Sequence, residues 1–375
     1  MRVEVVSHTF VTGPSQELVE YLKKRTRRLV FIGHPFNYCK DIRSFIEVYE
    51  NGYLKTAEFG TSWRLPQVYA YLKDVLYTLI WTLKTDTKYD LYVGVDPLNC
   101  LLGLIFRRLG RTEKVVLYTI DYVPARFGNP LLNGLYHLVD SLCASKADVC
   151  WNLSPRMSEA RKKRGIKARG KEIVVPIGVR LDRIKRRQLN ELHRHRLVYL
   201  GHLRENQGLE LIVETMPSIV REVRDATLLI IGTGPLEPWL KNTVKQLELT
   251  QVVKFTGFVK DHAKVEDLLA TSGVGLALYK PSPTSFTWFA DPSKPAQYLA
   301  CGLPVIITNV PRIAEEIAVR PMGIVTNYDS HDFAKAALKL LTDDELYKTC
   351  RDNALQYVSQ IDWNVIFENA LRMSG

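Results

Sequence analysis

Residues 196–234 read RLVYLGHLRENQGLELIVETMPSIVREVRDATLLIIGTG. An apolar, β-branched run stops at a glycine, a helical pattern starts at Gly208, and a second apolar run, TLLIIG, follows. Strand, crossover helix and strand in that order predict one βαβ unit of a parallel sheet. Toward the C-terminus the alternation continues with a helix after Pro235, the strand VVKFTG and a helix near Val265–Ala270. The strand VGLALY, a helix near Lys294–Ala300 and the strand PVIIT complete it. Toward the N-terminus a separate series offers strands near Val3–Val6, Leu29–Ile32, Leu91–Val95, Val115–Thr119, Val149–Asn152 and Ile173–Val175. Helical patterns such as Gln67–Leu83 and Leu131–Ala144 lie between them. Two series in 375 residues predict an α/β chain of two Rossmann-like domains with parallel sheets covered on both faces. The stretch VVPIGVRLDRIKRRQLNELHRHR turns from apolar to charged, which sets the domain boundary near residue 180.

Hydrophobic residues at 46% and charged residues at 24% are those of a folded globular protein. The start, MRVEVVSHTFVTG, reads as a first strand and its loop, without the apolar core of a signal peptide. The longest apolar run, about Cys100 to Phe106, is far below the roughly 20 residues a membrane span needs. Six scattered cysteines, with no C-x-x-C pair, fit unpaired thiols in a reducing cytoplasm. Net charge is +11, and residues 1–179 hold 27 Lys and Arg against 17 Asp and Glu, nearly the whole excess. The basic clusters are Lys23 to Arg28, Arg107-Arg108, and Arg161 to Lys171. Such a face attracts phosphates of an anionic lipid or a lipid-diphosphate acceptor, or is simply solvated. Nucleic acid is not an expected partner, because basic residues and aromatics are not interleaved in a reading module.

Ligands of doubly wound sheets lie at the carboxyl ends of strands. Gly201-His202-Leu203-Arg204-Glu205-Asn206-Gln207-Gly208 follows LVYL, and Gly232-Thr233-Gly234-Pro235 follows TLLII, each leading into a helix. Glycine lets backbone approach a ligand, and a helix N-terminus offers N–H groups and a positive dipole end to phosphate. Each glycine alone is an ordinary turn, and their order within one domain gives them weight. Residues 289–306, FADPSKPAQYLACGLPVI, read as a loop, a helix and a buried strand, with Asp291 placed to cap the helix. Lys294 falls in the first turn, where a cation is disfavoured unless an anion binds nearby. The plain alternative is a lysine that points to solvent.

The blocks VYLGHLRENQGLELIVETMP, LLIIGTGP, VKFTGFV, DPSKPAQYLACGLPVIITNVP and GIVTNYD span about residues 172–342. In order and content they resemble the nucleotide-binding half of GT-B glycosyltransferases. They are most similar to the large, mostly retaining group 1 (family 4-like) enzymes with an E-x7-E pattern. The resemblance implies two Rossmann-like domains facing across a cleft. Residues 1–179 would hold the acceptor and 180–355 the nucleotide sugar, with a helix in 356–375, around Trp363–Met373, crossing back to the first domain. It implies that Phe258 and Val259 flank the donor base, that Gln297 faces the ribose, and that Lys294 reaches the diphosphate. Gly201, Arg204, Gly232, Gly234, Asp291 and Tyr298 fall in the same donor-binding blocks. Several positions depart from the family. Gln297 replaces the ribose-binding glutamate, and Phe289 stands where the first glutamate of E-x7-E belongs. His202 and Gln207 replace two diphosphate cations, for which Arg204 and Lys294 can substitute.

On the acceptor side Asp121 ends the strand VVLYTI, and the resemblance directs its carboxylate into the cleft. There it would deprotonate an acceptor hydroxyl or orient the sugar; otherwise it caps the next turn. Asp96, after LYVGV, is placed similarly, and His34 in FIGHPF also follows a strand, as an acceptor-side or merely packed residue. The aromatic-rich segment 67–83 reads as core or as a lipid-facing surface.

No D-x-D pair, P-loop or dinucleotide fingerprint occurs, so neither a metal site nor a bound cofactor is expected. The resemblance implies metal-independent hexosyl transfer from a UDP- or GDP-type nucleotide sugar, with side-chain cations and helix N-termini stabilising the leaving diphosphate. The expected acceptor is a glycan or a lipid-linked molecule, and the expected place is cytoplasmic, peripheral at the inner membrane face. A catalytically inactive GT-B scaffold and a sugar-nucleotide epimerase are the alternatives.

Overall fold

The computed structural model describes residues 1–9, 13–85, 87–282 and 285–375. The chain divides into two compact units, Met1–Pro176 with Trp363–Gly375, and Ile177–Asp362. The breaks expected at 179/180 and 355/356 thus move to 176/177 and 362/363. Local pairing explains the shift. The Val179 N–H donates to Ile361 O at 2.9 Å and the Leu181 N–H to the Asp362 carboxylate at 3.3 Å, tying residues 179–181 into the second unit.

The first unit runs β1 (Arg2–Thr9), α1 (Pro14–Lys23), β2 (Arg28–Pro35), β3 (Phe45–Glu50), β4 (Tyr53–Phe59), α2 (Gln67–Lys84) and β5 (Tyr89–Val95). It continues with α3 (Asp96–Arg108), β6 (Thr112–Thr119), α4 (Pro130–Lys146), β7 (Val149–Asn152), α5 (Pro155–Lys163) and β8 (Lys171–Val174). The sheet order is β4-β3-β2-β1-β5-β6-β7-β8. The strands from β2 to β8 pair in parallel, but β2, β3 and β4 pair antiparallel, so the sheet is mixed rather than wholly parallel. The hairpin turns on Asn51 and Gly52, at φ +50° and +87°, the pair of positive φ angles that a tight two-residue turn requires. Part of the loop expected after β1, Phe10–Thr12, lies outside the described residues.

Helices α2 and α4 are unusual in what they bury. The inner face of α2 carries Asp74, Thr78 and Thr82, and that of α4 carries Asp140. Partners in the layers beneath take up these groups. The Thr82 hydroxyl donates to Glu4 Oε1 on β1 at 2.6 Å, and burial pushes that carboxyl up to about 8. Asp140 takes a fork of hydrogen bonds from Arg161 at 2.6 to 3.2 Å, and Arg161 also donates to Asn152 and Thr119. Arg161 therefore leaves the exposed basic run to which its neighbours assigned it, since its side chain is 2% exposed.

The second unit runs β9 (His193–Leu200), α6 (Leu209–Glu222), β10 (Thr227–Ile231), α7 (Glu237–Gln246), β11 (Val253–Gly257), α8 (His262–Ala270) and β12 (Ser272–Ala277). Then follow α9 (Phe286–Phe289), α10 (Ser293–Ala300), β13 (Val305–Thr308), α11 (Ile313–Val319), β14 (Gly323–Thr326), α12 (Ser330–Thr342) and α13 (Asp344–Tyr357). Its sheet is parallel throughout, in the order β11-β10-β9-β12-β13-β14. This is the doubly wound order whose direction reverses between β9 and β12, where such sheets bind ligands. The last helix, α14 (Trp363–Ser374), returns to the first unit. Phe367 packs on Tyr21 of α1 with ring centres 5.7 Å apart, and the Trp151 indole donates to the Ser374 hydroxyl at 2.9 Å.

Candidate functional site

In the second unit the loops after β9 and β10 are stitched together. The Gly201 N–H donates to Ile231 O at 2.9 Å and the Leu203 N–H to Thr233 O at 3.0 Å. Gly232 has φ +133°, and a Cβ there would stand 2.0 Å from Gly201 O, so only glycine lets the loops close this far. Gly234 lies against the Leu203 backbone. Arg204, exposed, shares with Glu205, Asn206, Pro235 and Leu236 a surface hollow of about 400 Å³.

Lys294, at the start of α10, reaches into this junction. Its ammonium donates to the Tyr199 hydroxyl at 2.8 Å and to Gln207 Oε1, and it sits 4.3 Å from the Tyr199 ring centre. A Cβ at Gly201 would meet Lys294 Cε at 2.5 Å, so the glycine makes room for the lysine. Lys294 forms no ion pair with a carboxylate among the described residues. Although its side chain keeps some contact with solvent, desolvation pushes the ammonium down to about 7. Gln207, expected only as a lost cation, thus holds the cation that remains.

The other donor-side positions divide. Phe258 follows β11 and is 69% exposed, with Val259 half-buried beside it, and Gln297 is half-buried on α10. Tyr298 is fully buried instead of facing a ligand. Its hydroxyl accepts from the Leu200 N–H at 2.8 Å and donates to Leu276 O at 3.2 Å, strutting β9 to β12. Pro292 is the N-cap residue of α10, and the Asp291 carboxylate accepts from the Ile313 N–H at 2.9 Å, at the start of α11.

In the first unit, Asp96 and Asp121 stand just past the ends of the neighbouring strands β5 and β6. Asp96 holds φ +66°, rare for a residue with a side chain and concentrated at functional sites. Its Oδ1 accepts from the Ile120 N–H at 3.3 Å, and burial pushes the carboxyl up against the pull of Arg126. The Asp121 carboxylate is exposed and accepts no hydrogen bond among the described residues, so it caps nothing. Desolvation by the protein around it, with the Asp96 charge added, still pushes it up to about 6. Arg126 opposes that shift and donates to the Asp121 carbonyl at 3.2 Å.

His34 is a packed residue, fully buried, with its ring nitrogens 3.0 Å from the Ser44 hydroxyl and 2.8 Å from the Thr78 hydroxyl. Its neighbours form a group that no sequence pattern joins. Asp74 on α2 lies 3.5 Å from His8 and 3.4 Å from His34, and it accepts from Ser44 at 3.0 Å. Burial works against the Asp74 charge, but the two histidines outweigh it and hold the carboxyl well below the usual range. His8, at the end of the central strand β1, also meets Asn99 at 3.2 Å. In the sequence the signal for this group was a histidine at the end of an apolar run, read at His34 and missed at His8. No cluster of three His, Cys, Asp or Glu side chains suited to a metal occurs among the described residues.

Residues 194–343 match the family model described as glycosyl transferases group 1. This match lies wholly within the second unit. Over 132 residues the chain is 28% identical to a chitobiosyldiphosphodolichol beta-mannosyltransferase of Candida albicans, covering 34% of this chain and 28% of that one. Over 163 residues it is 29% identical to an N-acetyl-alpha-D-glucosaminyl L-malate synthase of Bacillus anthracis, covering 43% and 40%. A GDP-mannose-dependent alpha-(1-6)-phosphatidylinositol dimannoside mannosyltransferase of Mycobacterium tuberculosis is 29% identical over 153 residues, covering 39% and 37%. The matches thus span well under half the length of these relatives. Solved structures share the whole fold. A sucrose-phosphate synthase of Thermosynechococcus elongatus superposes with a TM-score of 0.74 at 17% identity, over 99% of this chain and 98% of that one. Anabaena HepE in complex with UDP gives 0.72 at 15% identity, over 99% of both chains. Both units therefore follow the GT-B glycosyltransferase fold.

Within the matched residues, Phe289, where the resemblance expects the first glutamate of E-x7-E, is 8% exposed and so belongs to the local core.

Proposed function

We propose that the protein transfers a hexosyl group from a UDP- or GDP-type nucleotide sugar to a hydroxyl of a glycan or lipid-linked acceptor at a membrane face. The observation that carries this reading is the Lys294 ammonium, held against β9 and the loop that follows it by neutral partners and lacking an anion of its own. A desolvated cation without a counter-charge is stabilised when a diphosphate arrives. As the acceptor oxygen bonds to the anomeric carbon, the bond from that carbon to the diphosphate oxygen breaks. Lys294 then meets the charge that grows on the diphosphate, as does the N-terminus of α6. The hydroxyl proton passes to a base, and Asp121, whose carboxylate accepts no hydrogen bond among the described residues of the first unit, is our candidate for that role or for orienting the sugar. The six free cysteines support a reducing compartment, in keeping with work on the cytoplasmic side.

A thermal-shift screen against UDP, GDP, ADP, CMP and their sugar conjugates tests the donor site. One nucleotide should raise Tm in the native chain and not in Lys294→Ala, because a ligand that binds only the folded state must stabilise it. No shift with any of them would sink the reading. The buried Phe289 favours one further reading, a nucleotide-binding protein that lacks transfer activity. It predicts the same shift with no sugar transfer to any acceptor.

A further inference from the structure

No helix among the described residues is long and apolar enough to cross a membrane. Yet on α2, Leu72, Leu76, Ile80 and Leu83 are 45 to 58% exposed, and on α4, Leu131, Leu135, Leu138 and Leu142 are 41 to 83% exposed. Steps of three and four residues put each quartet on one face of its helix. Helix α3, which packs against both α2 and α4, adds the exposed Ile105, and Leu109 just past its end is exposed too. Three adjacent helices therefore turn apolar side chains outward together. We propose that this helix layer is the surface by which the protein lies on an anionic bilayer.

A helix covering a sheet ordinarily buries its apolar stripe and exposes its polar face. Here the carboxylates go inward, Asp74 to the histidines and Asp140 to Arg161, so neither α2 nor α4 exposes an acid. The last turns carry cations: Lys84 on α2, Arg107 and Arg108 on α3, and Lys146 on α4. Lys84 and Arg107 pair with Glu58 and Asp148, while Arg108 and Lys146 form no ion pair among the described residues. Apolar faces of α2 and α4 that expose no acid, flanked by the unpaired Arg108 and Lys146, complement the acyl boundary and the phosphates of an anionic leaflet. A protein partner fits less well, because interface hot spots favour Trp, Tyr and Arg while leucine is under-represented there. The proposal rests on the membrane-face reading given above and supplies its anchoring surface.

The test floats the full chain with vesicles of phosphatidylcholine alone or with phosphatidylglycerol added. The native protein should bind the anionic vesicles. The double variant Leu76→Glu with Leu135→Glu should bind at least roughly tenfold less, since each change takes a leucine out of the acyl boundary. Arg108→Glu with Lys146→Glu should weaken binding to anionic vesicles alone. The idea is overturned if the native protein floats with neither vesicle, or if the leucine variant binds as well as the native chain. A lipid-free dimer that the leucine variant dissolves, with no vesicle binding, would also overturn it, in favour of a second copy. The nucleotide thermal shift, measured on the same samples, should persist in both variants. Flotation without any nucleotide shift in the native chain would count against the transferase reading alone.

Discussion

The Lys294 ammonium donates to the Tyr199 hydroxyl across 2.8 Å while lying 4.3 Å from the centre of the same ring. The ring face and the hydroxyl oxygen both favour the charged form, but neither carries a full negative charge, and desolvation leaves the ammonium near a pKa of about 7. A bound diphosphate raises that value, so binding takes up a proton at any pH above it. Nucleotide affinity should be flat below about 7 and fall by roughly tenfold per pH unit above it, until the pKa of the complex is passed. Calorimetric titrations from pH 6 to 9 would check the slope. Lys294→Ala should abolish it and weaken binding by about 1.5–3 kcal/mol, the worth of a hydrogen bond to a charged group.

Asp121 sets the other limb. If it serves as the base, it must be ionised, and its carboxyl sits at about 6 because desolvation and the Asp96 charge both resist ionisation. The kcat/KM profile should therefore rise through about pH 6 and decline above about 7, where Lys294 loses its proton. Asp96→Asn removes the repulsion and should move the rising limb to lower pH. Asp121→Asn should remove that limb and cost roughly 10²–10⁴-fold in turnover. An Asp96→Asn profile identical to that of the native enzyme would argue against the coupling.

The Asp140–Arg161 pair should prove a stability element. Asp140→Ala leaves a guanidinium buried with only the Asn152 and Thr119 oxygens as acceptors, and should cost about 3–5 kcal/mol in urea unfolding. Replacing both residues with apolar ones of similar volume should cost far less, because the desolvation penalty goes with the charges.

Tyr298 should behave as a strut. Tyr298→Phe strands the Leu200 N–H without its acceptor, and a buried orphan donor costs about 1–3 kcal/mol. Stability should fall while nucleotide affinity stays unchanged, a pattern that separates it from Lys294→Ala.

Most strands of both sheets were legible because buried parallel strands are short apolar runs ending in turn residues, as at VYLG and TLLIIG. The β3–β4 hairpin was missed although it carries its own signal, Asn51-Gly52 between FIEVYE and YLKTAEF. Its outer strand has Lys55 and Glu58 among exposed residues and offers no clean alternation. At the site, Lys294 was legible because a cation in a first turn breaks a local rule. Tyr298 was misplaced because its neighbours in sequence, Lys294 and Gln297, are half-exposed while it points into the sheet. The His8–Asp74 contact joins residues far apart in the chain, and no local pattern encodes such a pairing. Helix α2 was read as core or lipid-facing, and periodicity could not decide between them. What decides its packing is the polar set beneath it, Glu4, His34 and Ser44, which draws Asp74, Thr78 and Thr82 inward.

Helix α14 is synthesised after every other element described above, yet it packs on α1. The second unit is unbroken from Ile177 to Asp362, whereas the first is complete only when Trp363–Gly375 has been added. During translation the second unit can therefore finish its core while the earlier one still waits for its closing helix. A truncation after Asp362 would leave the second sheet whole and strip the flank of the first.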